Sequence, residues 1–519
     1  MIDPTNRNDS LFLHVLDPER YPQTNSTTCR PPTMPLGAGT LMAEADVDCV
    51  ADWVGSLDAG DGFQPAPFEP APIETVLTKA KYVLHGGAIT DQELDRVRDG
   101  NGGLNREALK TLIDGWIWAS PGVFTREFDS KLTMFLTLSL QQNRPEGTPT
   151  FQYQSQLNLR PKNVPEGQPI IDRDAFTDAM PQMFVRTAYD IVKESRDFRN
   201  VVTTRRLQVT TAILTAMVYA DSNLRDDRGR LPNNMRFVNY SHLLPEDYTD
   251  WRDVTIEQAT ADTPAPYVYE NTPEVAATMR TIPDEGTLRL WTPRVGFFNT
   301  FTFFDEWETN LDNQFRVTMS QTLIVALDLI FETGDTTPPH SLAALDEEHA
   351  EEGSSCYACH SLLDPMRPIF EGYYGYSNRG IAGPKRGDPS TFAFHGHVVP
   401  TIDDMDDLAS AMASHPRFAL AWTQKVCMWA NSQRCNESDP EFIRIAETFR
   451  DGYDTDSPDD DFRLPILMRE LLSSTLVTGA TPSLNHDRAE FFVSPARSQH
   501  FCQAIRTRVR QACAMRIAE

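Results

Sequence analysis

Five consecutive residues have the types and spacing for redox chemistry: Cys356-Tyr-Ala-Cys359-His360. Two thiols separated by two residues can add to the two vinyl groups along one edge of a haem. The next residue, His360, is then held beneath the iron, where an imidazole nitrogen serves as proximal ligand. At this cysteine and histidine content, such a pentapeptide arises by chance in fewer than roughly one chain of this length in a hundred. Two other chemistries fit the same letters. A CxxC pair can be a redox dithiol, but no βαβ pattern surrounds this one. It can also be half of a zinc site, but no second Cys/His pair lies at zinc spacing, and His395-Gly396-His397 is the nearest. The reading that follows is a covalent haem c on Cys356 and Cys359, with His360 as the proximal iron ligand.

The opposite face of the iron has several candidates. Met366 follows His360 closely and would need a tight reversal, so a core or edge methionine is the simpler reading. Met405 and Met412 are alternatives, with Met412 at helical spacing from Leu408 and therefore more simply core. The first choice is His397 or His395, set far enough along the chain for a loop to return over the haem. The competing reading is a solvated loop in Phe392-Ala-Phe-His-Gly-His-Val398.

The segment after the motif resembles a specific group. Ser361-Leu-Leu-Asp364-Pro365 and its continuation to Tyr376 is similar to the planctomycete-type and myxobacterial cytochrome-c-like proteins of unknown function. Their signature runs CxxCH, a few residues, Asp-Pro, then Phe-Glu and an aromatic-Gly turn. The matching positions are Cys356, Cys359, His360, Asp364, Pro365, Phe370, Glu371, Tyr374 and Gly375. Weaker similarity extends to residues 74–141, to Leu408–Asn431 and to Glu470–Val477. The resemblance implies a haem and a place outside the cytoplasm, and no defined reaction. Asp364 and Arg367 would then support the iron ligand at one remove or be structural. Phe370, Tyr373 and Tyr374 would pack near the macrocycle.

A second, partial resemblance lies near the start. Thr33-Met34-Pro35-Leu36-Gly37, followed by a helix ending Cys49-Val-Ala-Asp-Trp53-Val54, resembles the distal half of a class I cytochrome c. There a Met-Pro loop supplies an iron ligand; the half with its own CxxCH is absent here. Met1-Ile-Asp-Pro-Thr-Asn-Arg7 has neither a basic region nor an apolar run, so this sequence shows no secretory signal. Haem is attached covalently outside the cytoplasm, which sets that start against the CxxCH. A misplaced start would explain the missing signal and the missing half together. A degenerate cap, with Met34 an ordinary loop residue, is the alternative.

The rest of the composition bounds the partners. The chain has 519 residues, with 47 Lys plus Arg against 74 Asp plus Glu, a formal net charge of −27. That excess argues against nucleic acid and anionic membrane surfaces and favours a basic redox partner. No apolar run approaches a membrane span. Besides the motif, six cysteines fall into the local pairs 29/49, 427/435 and 502/513. Local disulfides in an oxidising compartment are the economical reading, and buried thiols the alternative.

These residues need elements to hold them, and the periodicity predicts a mainly α, multi-helical fold with a c-type haem-binding segment and long irregular loops. Residues 1–56 form the partial cytochrome-c-like unit, with helices at Ser10–Leu16 and Ala43–Val54, and 57–73 are a Pro/Gly linker. Residues 74–345 read as a helical domain. Its helices span 74–84, 90–99, 105–119, 123–141, 181–197, 203–220 and 305–332, with a β-like stretch at 150–154 and an irregular insert at 221–290. Residues 346–480 read as the haem-binding helical domain, with helices at 403–413, 416–431, 440–449 and 464–472. A tail, 481–519, carries the 502/513 pair. Electron transfer in the periplasm or at the cell surface is the first functional expectation. A haem-dependent oxidoreductase, peroxidase-like or partnered to a dehydrogenase, is the second, and a surface-assembly protein with structural haem the third. The acidic run 454–461 and His349 read as solvated, and Asp403, Asp404, Asp406 and Asp407 as a helix start.

Overall fold

In the computed structural model, the residues described are 69–143, 171–224, 243–265, 273–291, 294–307, 315–329, 335, 337–342, 345–346, 351, 355–373, 390–453 and 461–480. The helices at 10–16 and 43–54, the stretch 150–154, the loop at Met34, His349, most of the acidic run, the tail 481–519 and Cys29, Cys49, Cys502 and Cys513 lie outside them. The chain divides into two compact units: Met1–Phe68 with Glu351–Ala358, and Glu69–Ala350 with Cys359–Glu519.

The second unit is mainly α. Its helices are set by apolar spacing and by capping residues. Ile73–Leu84 buries Val76, Leu77, Ala80, Val83 and Leu84, one face of a 3.6-residue period. Asp91–Val97 starts on a capping box in which the Thr90 hydroxyl accepts from the Glu93 N–H and Glu93 reaches back to Thr90. Asn105 caps Arg106–Ile117, and Thr125 caps Arg126–Ser139. Asp404 caps Met405–Ala413 through the Asp406 and Asp407 amides, the use of acidic residues that this cluster suggests. Arg417–Asn431 is the central helix. Its Trp422 is wholly buried, with Phe198 edge-on at 4.6 Å and Phe135 at 6.4 Å. Each such ring removed from water contributes about 1.5–3 kcal/mol. One apolar cluster runs from Val76 to Val477 within this unit.

Three expectations are corrected. The helix read at 203–220 begins at Thr211, because Arg206–Val209 is a strand that alternates Leu207 and Val209 inward. The insert read as irregular over 221–290 contains two more strands, Arg252–Gln258 and Gly286–Leu290, and the helix Pro273–Thr281. The three strands form one sheet, antiparallel between Arg206–Val209 and Arg252–Gln258 and parallel between Val254–Gln258 and Gly286–Leu290. The helix read at 305–332 is two helices, Phe301–Glu306 and Arg316–Leu327. The second is bounded by Phe315 at φ 71° and Asp328 at φ 55°, left-handed conformations that a continuous right-handed helix cannot include.

The stretch Phe392–Val398, which reads as a loop, belongs to a further element. Ser390–Phe394 and His397–Ile402 pair as an antiparallel hairpin. Its two central residues, His395 at φ 43° and Gly396 at φ 81°, both have positive φ, as a type I′ turn requires. Among the described residues no helix is long and apolar enough to cross a membrane.

Candidate functional site

The motif lies on the helix Ser355–Leu363. Cys356 belongs to the first unit and is buried; Cys359 and His360 belong to the second. Both cysteines are thiols. The helical turn continues past the helix, since the Asp364 amide donates to the His360 carbonyl at 2.9 Å. That turn sets Asp364 four residues after His360 on one face, with His360 Nδ1 at 3.2 Å from Asp364 Oδ1.

Asp364 is fully buried, so its charge must be matched. Arg316, the first residue of Arg316–Leu327, grips it with both arms: Nε donates to Oδ1 at 2.7 Å and Nη2 to Oδ2 at 2.8 Å. Arg316 also pairs with Asp346. Arg367, itself fully buried, donates to Asp346 at 2.9 Å and lies 3.8 Å from Asp364. Two guanidinium and two carboxylate groups therefore make a neutral cluster behind His360. Burial alone would raise the Asp364 carboxyl. The Arg316 and His360 hydrogen bonds, with the Arg367 and Arg316 charges, outweigh it and hold it at about 2. Burial would likewise lower Arg316, and Asp364 and Asp346 raise it instead.

This fixes a proton. An ionised carboxylate only accepts, so His360 Nδ1 carries the hydrogen of this contact. A metal-ligating histidine commonly has a carboxylate on its second nitrogen in this way. The residues present fit a haem iron ligand: an imidazole oriented by a carboxylate on Nδ1, one residue after a thiol.

His395 and His397 sit on the hairpin. The hairpin is tied to the segment after the motif, because the Thr391 amide donates to the Pro365 carbonyl at 3.1 Å. Asp335 braces the turn: it accepts from the His395 amide at 3.0 Å and from Thr337 Oγ1 at 2.6 Å, while Thr337 Oγ1 accepts from the Gly396 amide at 2.6 Å. Burial would raise the Asp335 carboxyl, but the Thr337 and His395 hydrogen bonds lower it. His397 faces His415, with ring centroids 5.2 Å apart, and burial lowers its pKa. Met366, Met405 and Met412 are fully buried in the apolar cluster. Phe370 is buried with its ring 6.2 Å from that of Phe304.

His415 escaped the sequence reading. Its Nδ1 accepts from the Arg417 amide at 3.0 Å and its Nε2 faces the Phe394 carbonyl at 2.9 Å. That carbonyl can only accept, so Nε2 carries the proton and His415 is a neutral brace between the hairpin and the central helix. Arg316 and Asp346 were also missed. The available signals were an arginine opening an otherwise uncharged helix and an aspartate opening the stretch around His349, which reads as solvated. Among the described residues no group of three or more His, Cys, Asp or Glu is placed to hold a metal ion by itself.

The chain matches no protein-family model, no curated protein and no solved structure.

Proposed function

We propose that the protein is a c-type haem protein that transfers electrons outside the cytoplasm. In this reading the thiols of Cys356 and Cys359 hold the macrocycle and His360 ligates the iron through Nε2. Bound haem supplies the one-electron couple. The rest is the polypeptide's contribution. Asp364 selects the tautomer of His360 and limits rotation of its ring, and Arg316 limits rotation of Asp364. Burial of this cluster excludes water from the far side of the ligand. The observation that carries the reading is the ionised Asp364 on His360 Nδ1, one residue after a CxxC pair.

His397 or His395 is the distal ligand in this proposal, on a turn braced by Asp335 and Thr337. Burial favours a neutral His397 imidazole, the form that can ligate. The pair Cys427 and Cys435, at disulfide distance with Cα atoms 6.0 Å apart, supports an oxidising compartment. With a net charge of −27, the partner would be basic and the transfer rate would fall with salt. The visible spectrum tests electron transfer against peroxidase-like chemistry. A low-spin six-coordinate spectrum that cyanide and peroxide leave unchanged is expected. Prompt ligation of cyanide at an open distal site would shift the assignment to an oxidoreductase. His360→Ala should abolish proximal ligation while leaving thioether attachment feasible.

A further inference from the structure

The cluster behind His360 is more elaborate than tautomer selection requires. A backbone carbonyl would hold Nδ1–H equally well. Here the acceptor carries a full charge, sits at zero exposure, and is clamped at both oxygens by one guanidinium. A second guanidinium stands 3.8 Å away, and Asp346 bridges the two arginines. All of these residues lie in one compact unit with His360.

A buried anion on the proton-bearing nitrogen of an imidazole draws that proton toward itself and makes the opposite nitrogen a stronger electron donor. A cation on the same carboxylate weakens that effect. We infer that Asp364 is a positioning residue that sets the reduction potential of the haem through the basicity of His360, with Arg316 as its counterweight. This inference rests on the haem assignment above. In it, Asp364 favours the oxidised iron and Arg316 limits how far. The two residues therefore act with opposite signs, although they form one ion pair. Asp346 serves as the internal control, since it joins the same charge cluster through Arg316 and Arg367.

The test is a spectroelectrochemical redox titration of the haem-loaded full chain. Asp364→Asn keeps the shape and removes the charge. It should favour reduction by about tenfold or more, a rise of about 59 mV per tenfold for a one-electron couple. Arg316→Gln should shift the midpoint the other way. Asp364→Glu should restore most of the wild-type value, and Asp346→Asn should move it much less than Asp364→Asn. Equal shifts in Asp364→Asn and Asp346→Asn would reduce the effect to bulk charge and overturn the inference. An unshifted Asp364→Asn protein that still carries haem on His360 would overturn it as well, while leaving the haem assignment standing. A wild-type protein without haem would overturn both. Should the variants not fold, the wild type itself decides. With nitrogen-15-labelled histidine, the reduced protein should show a slowly exchanging, strongly downfield Nδ1–H on His360, and its absence would count against the inference.

Discussion

Acidification should destabilise this protein through one identifiable side chain. His415 is only 3% exposed, and burial, the largest influence, together with the charges of His397, His395 and Arg417, lowers its pKa to about 4 against the hydrogen bond to Phe394. Its two ring nitrogens are committed as acceptor to Arg417 and donor to Phe394, so a second proton would break the first contact and place a charge in the core. The unfolded chain takes that proton near pH 6.5, while the folded chain resists it until about 4. The neutral folded state is thus favoured above pH 6.5, and the advantage is lost as pH falls through this window toward 4. At about 1.4 kcal/mol per pKa unit, the full span is about 3 kcal/mol, and the step from pH 7 to pH 5 accounts for about 2 kcal/mol of it. Urea unfolding at both pH values measures this as a difference between wild type and His415→Gln, which cannot gain the proton. The wild type should lose about 2 kcal/mol more than the variant between pH 7 and pH 5. Equal losses would refute the reasoning, as would an imidazole titration for His415 near pH 6.5.

Other consequences are as direct. Asp364→Ala should cost about 3–5 kcal/mol in urea unfolding, because it leaves Arg316 buried with only Asp346 to pair it. A loss under about 1 kcal/mol would mean that the ion pair does not hold the turn. Gly396→Val should weaken the hairpin by about 1–2 kcal/mol. A Cβ added at Gly396 meets nothing within 4 Å, so the cost at that atom comes from its φ of 81° rather than from a clash. Faster amide exchange at Phe392 and Phe394 would report it, and unchanged exchange would argue against the type I′ turn. Alkylation without reductant should leave Cys427 and Cys435 unmodified. Replacing either by Ser should then cost about 2–3 kcal/mol for a loop of this size, whereas alkylation of both would show that no bond forms.

What could be read from sequence follows from how local each signal is. The helix at Asp91–Val97 was readable because Thr90 and Glu93 cap it three residues apart, and Leu464–Leu472 because its apolar period is unbroken. The strand Arg206–Val209 was hidden because four alternating residues do not outweigh the helical run that follows, and its partner, Arg252–Gln258, lies beyond a long stretch of chain. The parallel pairing of Val254 with Gly286 has no local signature at all. The hairpin could have been found. A Gly between alternating Phe392, Phe394 and Val398 is a turn signal, but the two histidines drew the reading toward ligation. At the site, Cys356, Cys359, His360 and Asp364 share one stretch of chain and were readable together. Arg316 reaches Asp364 across 48 residues and Asp346 across 30, so their pairing is a property of the packed core.

One preparation tests the proposed covalent haem: the full chain matured with the c-type haem assembly machinery, read by pyridine haemochrome spectrum and intact mass together. One haem c per chain is expected at Cys356 and Cys359, with the mass increased by one haem after acid extraction and the increase abolished in Cys356→Ala/Cys359→Ala. A chain that shows no Soret band and the mass of the bare polypeptide would contradict it.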